Sequence, residues 1–290
     1  CRRGRQRWVR RRVFRELRRR PLSPCSATSS AAIIKNMQPD DFQKLFDVSR
    51  ESMARLAAYH ALLLKWQKAI NLVSPGTLET AWQRHFADSA QLSQFIPSSR
   101  PEASRSEAGV EGSPCSSAKE GRSLDFARDE DRGGRDDGVF RVADLGSGAG
   151  FPGLVLALLR PDLDVHLIES DERKAQFLKT VSRETGTAVT IHNARIEDVL
   201  PSIAPDVITA RAFASLADIL QICAPVLAQN TGLQMVLLKG QKAGEEIVAA
   251  RQKFSFELAS HSSQTDPMAQ ILVLKDIAIL SSWDPSLRSG

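Results

Sequence analysis

The chain has 290 residues, 42% of them hydrophobic and 25% charged, with 39 Lys and Arg against 34 Asp and Glu and a net charge of +5. This is ordinary globular composition with material for a sizeable core, and no run of about 18 apolar residues is present to form a membrane-spanning helix. The surplus of positive charge has to be located before it is read as the mark of a nucleic-acid partner.

Residues 1–36 carry twelve basic groups against one acid. An Arg- and Ser-rich, acid-poor stretch suits a transit peptide or a basic nucleic-acid arm. The globular pattern begins at Met37, however, and the expectation is that Met37 is the natural start and 1–36 an over-extended reading frame. The rest of the chain is acidic, with 27 basic groups against 33 acids. Residues 37–97 predict a small helical domain. Phe42, Leu45 and Phe46 stand at i, i+3 and i+4, and Met53, Leu56, Ala57, Leu63, Leu64 and Ile70 continue an apolar stripe. Pro75 and Gly76 punctuate, and Thr77 precedes a further helix with Trp82, His85, Phe86 and Ser89. Residues 98–139 hold eight Ser, six Gly, seven basic and ten acidic residues without apolar periodicity. That composition predicts a disordered insertion, joining the helical part to the first strand beside the expected cleft.

From residue 140 strands and helices alternate. Strands are predicted at 140–145, 165–168, 189–191, 207–209 and 235–238, with helices at 151–159, 171–184, about 214–228 and about 244–252. Alternation of this kind implies a parallel sheet with helices on both faces. Strands at 254–258 and 271–274 follow without an intervening helix, so the last strand should be antiparallel, with a tail from 277 to 290. The expected fold is α/β, a Rossmann-like methyltransferase sheet over 140–276 with a helical domain before it. Of the four cysteines, Cys1, Cys25, Cys115 and Cys223, no two form a C-x-x-C pair or a Cys/His cluster. Neither a disulfide framework nor a metal site is indicated, and the core reads as cytosolic.

The strongest local signal is Asp144-Leu145-Gly146-Ser147-Gly148-Ala149-Gly150-Phe151-Pro152-Gly153, which follows a strand and opens a helix. Ligands of doubly wound sheets bind at such strand ends, and glycines allow the backbone to turn sharply and a ligand to approach. The match of Gly148, Gly150 and Gly153 to G-x-G-x-x-G, with Glu169 further on, leaves an NAD-type oxidoreductase as one alternative. Two details favour S-adenosyl-L-methionine. Asp144 sits where the ammonium of that cofactor would need an acid, and Pro152, lacking an N–H, occupies the turn on which a pyrophosphate would rest. Glu169 would bind ribose hydroxyls and Ala194–Asp198 the adenine. Lys65, Lys68, Arg84, Arg195, Arg211, Lys239 and Lys242 are expected to surround the cleft with positive charge, suited to a polyanion.

Trp66-x-Lys68-x-x-Asn71-Leu72, Arg84-His85-x-x-Asp88-Ser89, the glycine loop, Arg211-Ala212-Phe213-Ala214 and Leu238-Lys239-Gly240 occur in this order. Together they resemble the bacterial 16S ribosomal RNA guanine-N7 methyltransferase family, also called glucose-inhibited division protein B, over 37–97 and 140 to about 276. The resemblance implies methyl transfer from S-adenosyl-L-methionine to N7 of one guanine in 16S ribosomal RNA or the small ribosomal subunit. It implies cofactor contacts at Gly146, Phe151, Ile196, Glu197 and Arg211, beside Asp144, Gly148 and Glu169 from the loop itself. Lys68, Arg84, His85 and Lys239 are the candidate RNA contacts, and Arg211, His85 and Lys239 the candidate positioning groups. Guanine N7 needs no deprotonation, so no nucleophile or tuned base is expected. A methyltransferase for another RNA or a small molecule is the remaining alternative.

Overall fold

The computed structural model describes residues 37–98 and 138–280. The basic tail, residues 99–137 of the predicted insertion and the last ten residues lie outside the described residues. Helices α1 (Pro39–Leu45) and α2 (Arg50–Trp66) open the fold. The Ser49 hydroxyl caps α2, accepting the Ser52 N–H at 3.1 Å and satisfying one of the amides a helix start leaves unpaired. After a 3-10 turn at Pro75–Thr77 comes one helical run in three sections, π-helical Trp82–Ala87, α-helical Asp88–Ala90 and 3-10 Gln91–Phe95, together α3.

Seven strands follow: β1 (Phe140–Leu145), β2 (Leu163–Ile168), β3 (Thr190–His192), β4 (Val207–Arg211), β5 (Gln234–Lys239), β6 (Phe254–Ser262) and β7 (Gln270–Ile279). They form a single sheet in the order β3-β2-β1-β4-β5-β7-β6. The first five are parallel, and β7 runs antiparallel to both β5 and β6. Helices α4 (Gly153–Leu159), α5 (Glu172–Thr185), α6 (Ile196–Ile203) and α7 (Leu216–Leu227) make the crossovers, and α8 (Ala243–Ala250) precedes the closing hairpin. The order reverses about β1, so the switch point where such sheets bind ligands lies at the carboxyl ends of β1 and β4.

Helices cover both faces of the sheet. One core combines Phe42, Leu56, Tyr59 and Phe86 of the N-terminal helices with Phe151, Leu154 and Phe177 of the sheet's own layer. The other joins Ile196, Leu220, Cys223 and Phe254 beneath β1, β4 and β5. The N-terminal helices are therefore part of the sheet's packing, not a body beside it. Cys223 is fully buried, and burial pushes its thiol well above the usual range.

Two expectations change. Both strands of the hairpin run longer than the sequence suggested, and β7 continues to Ile279, past the boundary drawn at 276. The 98–139 segment also leaves the fold elsewhere than expected. Arg160 donates to the Ser93, Ile96 and Pro97 carbonyls at 3.2, 3.0 and 3.1 Å, fastening the end of α3 near the start of β2. Phe140 and Leu163 pair as the first residues of β1 and β2. The described chain therefore stops and resumes at the amino ends of the strands, opposite the switch point.

Candidate active site

The loop after β1 turns through Gly146, Gly148 and Gly150 at φ of +61°, +56° and +92°, a region that side chains enter only with strain. At Gly150 a Cβ would also lie 2.5 Å from the Leu154 side chain and 2.8 Å from the Tyr59 hydroxyl. Neighbours hold the loop on three sides. The Tyr59 hydroxyl donates to the Ala149 carbonyl. The Glu169 carboxylate accepts the Gly148 and Asp171 N–H groups, each at 2.8 Å. Asp144 accepts the Thr209 hydroxyl at 3.0 Å and the Gly153 N–H at 3.1 Å.

Asp144 thus does other work than expected. It is wholly buried, lines no cavity and braces β1 against β4 and the start of α4. Burial raises its carboxyl to about 6, against the hydrogen bonds that favour the anion. Its hold on Gly153 also fills the helix start at which a dinucleotide's pyrophosphate would sit, which disfavours the NAD alternative.

Two adjoining chambers open at the carboxyl ends of the parallel strands. The smaller, about 410 Å³, is lined by Ile168, Glu169, Ile196, Glu197, Phe213 and Ile222. Apolar faces with two carboxylates at the rim match the flat base and the hydroxyls of an adenosine. The larger, about 570 Å³, is lined by Ser74, Thr77, Arg84, His85, Asp88, Phe151, Arg211 and Lys239. Gly146, Gly148, Lys174 and Ala212 line both. Both volumes lie in the range of small-molecule sites.

The expected ring of free positive charge is largely neutralised. Arg84 pairs with Asp266 at 2.8 Å, Lys239 with Glu246 at 2.9 Å, and Arg211 stands 3.9 Å from Asp88. Lys239 is buried and also donates to the Ala214 carbonyl. Arg211 donates through Nη1 to the Arg84 carbonyl at 2.9 Å and to His85 Nδ1 at 2.8 Å, with its guanidinium over the Phe151 ring at 5.0 Å. His85 is buried and stacked on Phe151 at 5.1 Å. Burial, with Arg211 and Arg84 nearby, lowers its pKa to about 3. Asp88 is raised to about 6 by burial, against a hydrogen bond from Thr265 and the charge of Arg211.

Among families of known proteins, the model of the GidB family, rRNA small subunit methyltransferase G, matches residues 52–104 and 133–270. The chain belongs to this family. Ribosomal RNA small subunit methyltransferase G of Rhodospirillum centenum is 41% identical over 238 residues, covering 82% of this chain and 90% of that protein. The namesake of Rhodospirillum rubrum is 39% identical over 241 residues, covering 83% and 98%. That of Parvibaculum lavamentivorans is 39% identical over 243 residues, covering 82% and 89%.

Of the residues singled out from the GidB-like motifs, the structure gathers Gly146, Gly148, Phe151, Glu169, Ile196, Glu197, Arg211, Arg84, His85 and Lys239 around the two chambers. Asp144 lies behind them, and exposed Lys68 lines neither chamber. His85 and Lys239 are buried and partnered within the protein, which removes them as freely exposed RNA contacts. Sequence reasoning passed over Tyr59, Lys174, Glu246 and Asp266. Tyr59, the sole Tyr of the chain, had a signal: its polar tip stands in an apolar stripe and requires a partner. Lys174 had one too, in the first turn after the strand that ends at Glu169.

Proposed function

We propose that the protein transfers the methyl group of S-adenosyl-L-methionine to N7 of a guanine in 16S ribosomal RNA, acting on the RNA or the small ribosomal subunit. The observation that carries this reading is the pair of chambers meeting at the glycine loop, one suited to an adenosine and the other free of any nucleophile. Gly146, Gly148, Phe151, Glu169, Ile196, Glu197 and Arg211 are assigned to the cofactor. Glu169 remains able to accept ribose hydroxyls, because a carboxylate has about four acceptor sites and two are taken by the loop amides.

With the cofactor bound, the N7 lone pair attacks the sulfonium methyl carbon, the carbon–sulfur bond breaks with its electrons left on sulfur, and the positive charge passes to the base. No proton moves in this step. The protein's task is proximity and alignment, and the site fits that task. His85 has its Nδ1 lone pair engaged by Arg211, and Cys223 lies buried in the opposite core. Among the described residues no helix is long and apolar enough to cross a membrane. No group of three or more His, Cys, Asp or Glu there is placed to hold a metal ion. A ribosomal substrate implies a cytoplasmic enzyme.

The decisive experiment supplies labelled S-adenosyl-L-methionine and small subunits from a strain lacking the enzyme. Label is expected in one guanine, released by strand scission specific for N7-methylguanine. Label in another base or atom, or none, overturns the assignment.

A further inference from the structure

The four residues that line both chambers are unequal. Gly146, Gly148 and Ala212 bring no functional side chain to the junction, whereas Lys174 brings an ammonium. Its backbone is fixed: Asp171 caps α5 by accepting the Arg173 and Lys174 N–H groups at 2.9 and 3.1 Å. Its side chain is half-buried. The other cations of the larger chamber each have a carboxylate, Arg84 with Asp266, Arg211 with Asp88 and Lys239 with Glu246. Among the described residues no carboxylate pairs with the Lys174 ammonium.

Guanine and adenine both carry an N7. On the same base edge they differ at the neighbouring position, where guanine offers the acceptor O6 and adenine the donor N6 amino group. N7 cannot serve for recognition, since its lone pair forms the new bond. Choosing guanine therefore calls for a donor beside N7, at the place where base and methyl group meet. An ammonium has three donors and no acceptor, so it pairs with O6 and cannot pair with an amino group. We propose that Lys174 Nζ donates to O6 of the target guanine and selects guanine over adenine. The proposal rests on the guanine-N7 reading above.

The test uses the full chain, as wild type, Lys174→Ala and Lys174→Arg. The substrates are small subunits reconstituted with guanine, inosine or 2,6-diaminopurine at the target. Inosine keeps O6 and N7, and diaminopurine keeps N7 with an amino group in place of O6. Failure of the wild type to form N7-methylguanine on the unmodified subunit would sink the underlying reading, independently of Lys174. Wild type is expected to accept guanine and inosine and to disfavour diaminopurine. In Lys174→Ala, kcat/KM on guanine should fall roughly tenfold to hundredfold while that on diaminopurine stays nearly unchanged, so that discrimination collapses. Lys174→Arg should retain the guanine preference. Titration calorimetry should find cofactor affinity unaltered in both variants. Equal losses on guanine and diaminopurine would overturn the proposal. A log–log salt dependence shallower by about one, with discrimination intact, would give the lysine to a phosphate and overturn it as well. So would a loss of cofactor binding.

Discussion

His85 stands where a general base would be sought, and its surroundings disable it. Arg211 can only donate, so His85 Nδ1 accepts, and the Nε2 proton goes to the Thr77 hydroxyl at 2.8 Å, which in turn donates to the Ser74 carbonyl at 2.7 Å. The ring is a strut between α3 and β4. His85→Gln should weaken methyl transfer without abolishing it, since the reacting lone pair belongs to the base. Its effect on stability is more diagnostic. With a folded pKa near 3 against about 6.5 unfolded, the unfolded chain takes up a proton that the folded one refuses. Stability from the neutral ring is therefore complete above about 6.5 and is lost as pH falls toward 3. Asp88 and Asp144, both near 6 when folded, slope the opposite way between about 4 and 6. Urea unfolding of wild type and His85→Gln at pH 7 and pH 5 isolates the histidine, with wild type expected to lose about 2 kcal/mol relative to the variant on acidification. Tyr59→Phe makes the complementary test of the glycine loop. It strands the buried Ala149 carbonyl and should cost about 1–3 kcal/mol in thermal or urea unfolding, with weaker cofactor binding by calorimetry.

Element by element, α3 and the β6–β7 turn act as one latch. Gln91 accepts the Gln264 N–H at 2.9 Å and donates to Ser263 at 3.0 Å, Thr265 donates to Asp88, and Gln83 donates to the Thr265 carbonyl at 3.1 Å. Buried polar networks of this kind are costly when half satisfied. Gln91→Leu should lower unfolding stability by about 1–3 kcal/mol and, through Asp88, loosen Arg211, seen as a raised cofactor Kd. None of this latch was legible in the sequence, because its partners come from opposite ends of the chain and only the sheet order brings them together. The same cause hid the neutralisation of Arg84 and Arg211. Lys239, close to Glu246 in sequence, was misjudged because strand-end lysines are often simply solvated. What was legible was local: the glycine loop, Glu169 at the end of β2, Ile196 and Glu197 after β3, and Arg211 ending β4. Each signal lay in a strand-end context that the alternation of elements supplied. The hairpin was drawn too short because apolar periodicity fades after Phe256 and at Lys275–Asp276, where pairing across the ladder carries the strands on.

The whole molecule has one reacting edge, and the N-terminal helices are needed to build it. Tyr59 braces the glycine loop, Phe86 meets Phe151 at 5.2 Å, and α3 holds Arg211. Residues 37–98 are therefore not expendable. By contrast, removing residues 1–36 should leave methyl transfer to small subunits essentially unchanged, and a large loss of turnover would restore that stretch as a functional arm. The edge opposite the chambers has another use. Since the described chain leaves after Ser98 and returns at Gly138 among the amino ends of the strands, length at that point can vary without reshaping the catalytic edge. Replacing 99–137 with a short Gly-Ser linker should keep kcat/KM within about twofold. The same gap offers a splice site: a fluorescent domain inserted there would sit on the far side of the sheet from the RNA, and its slowed tumbling would report docking on the small subunit in real time.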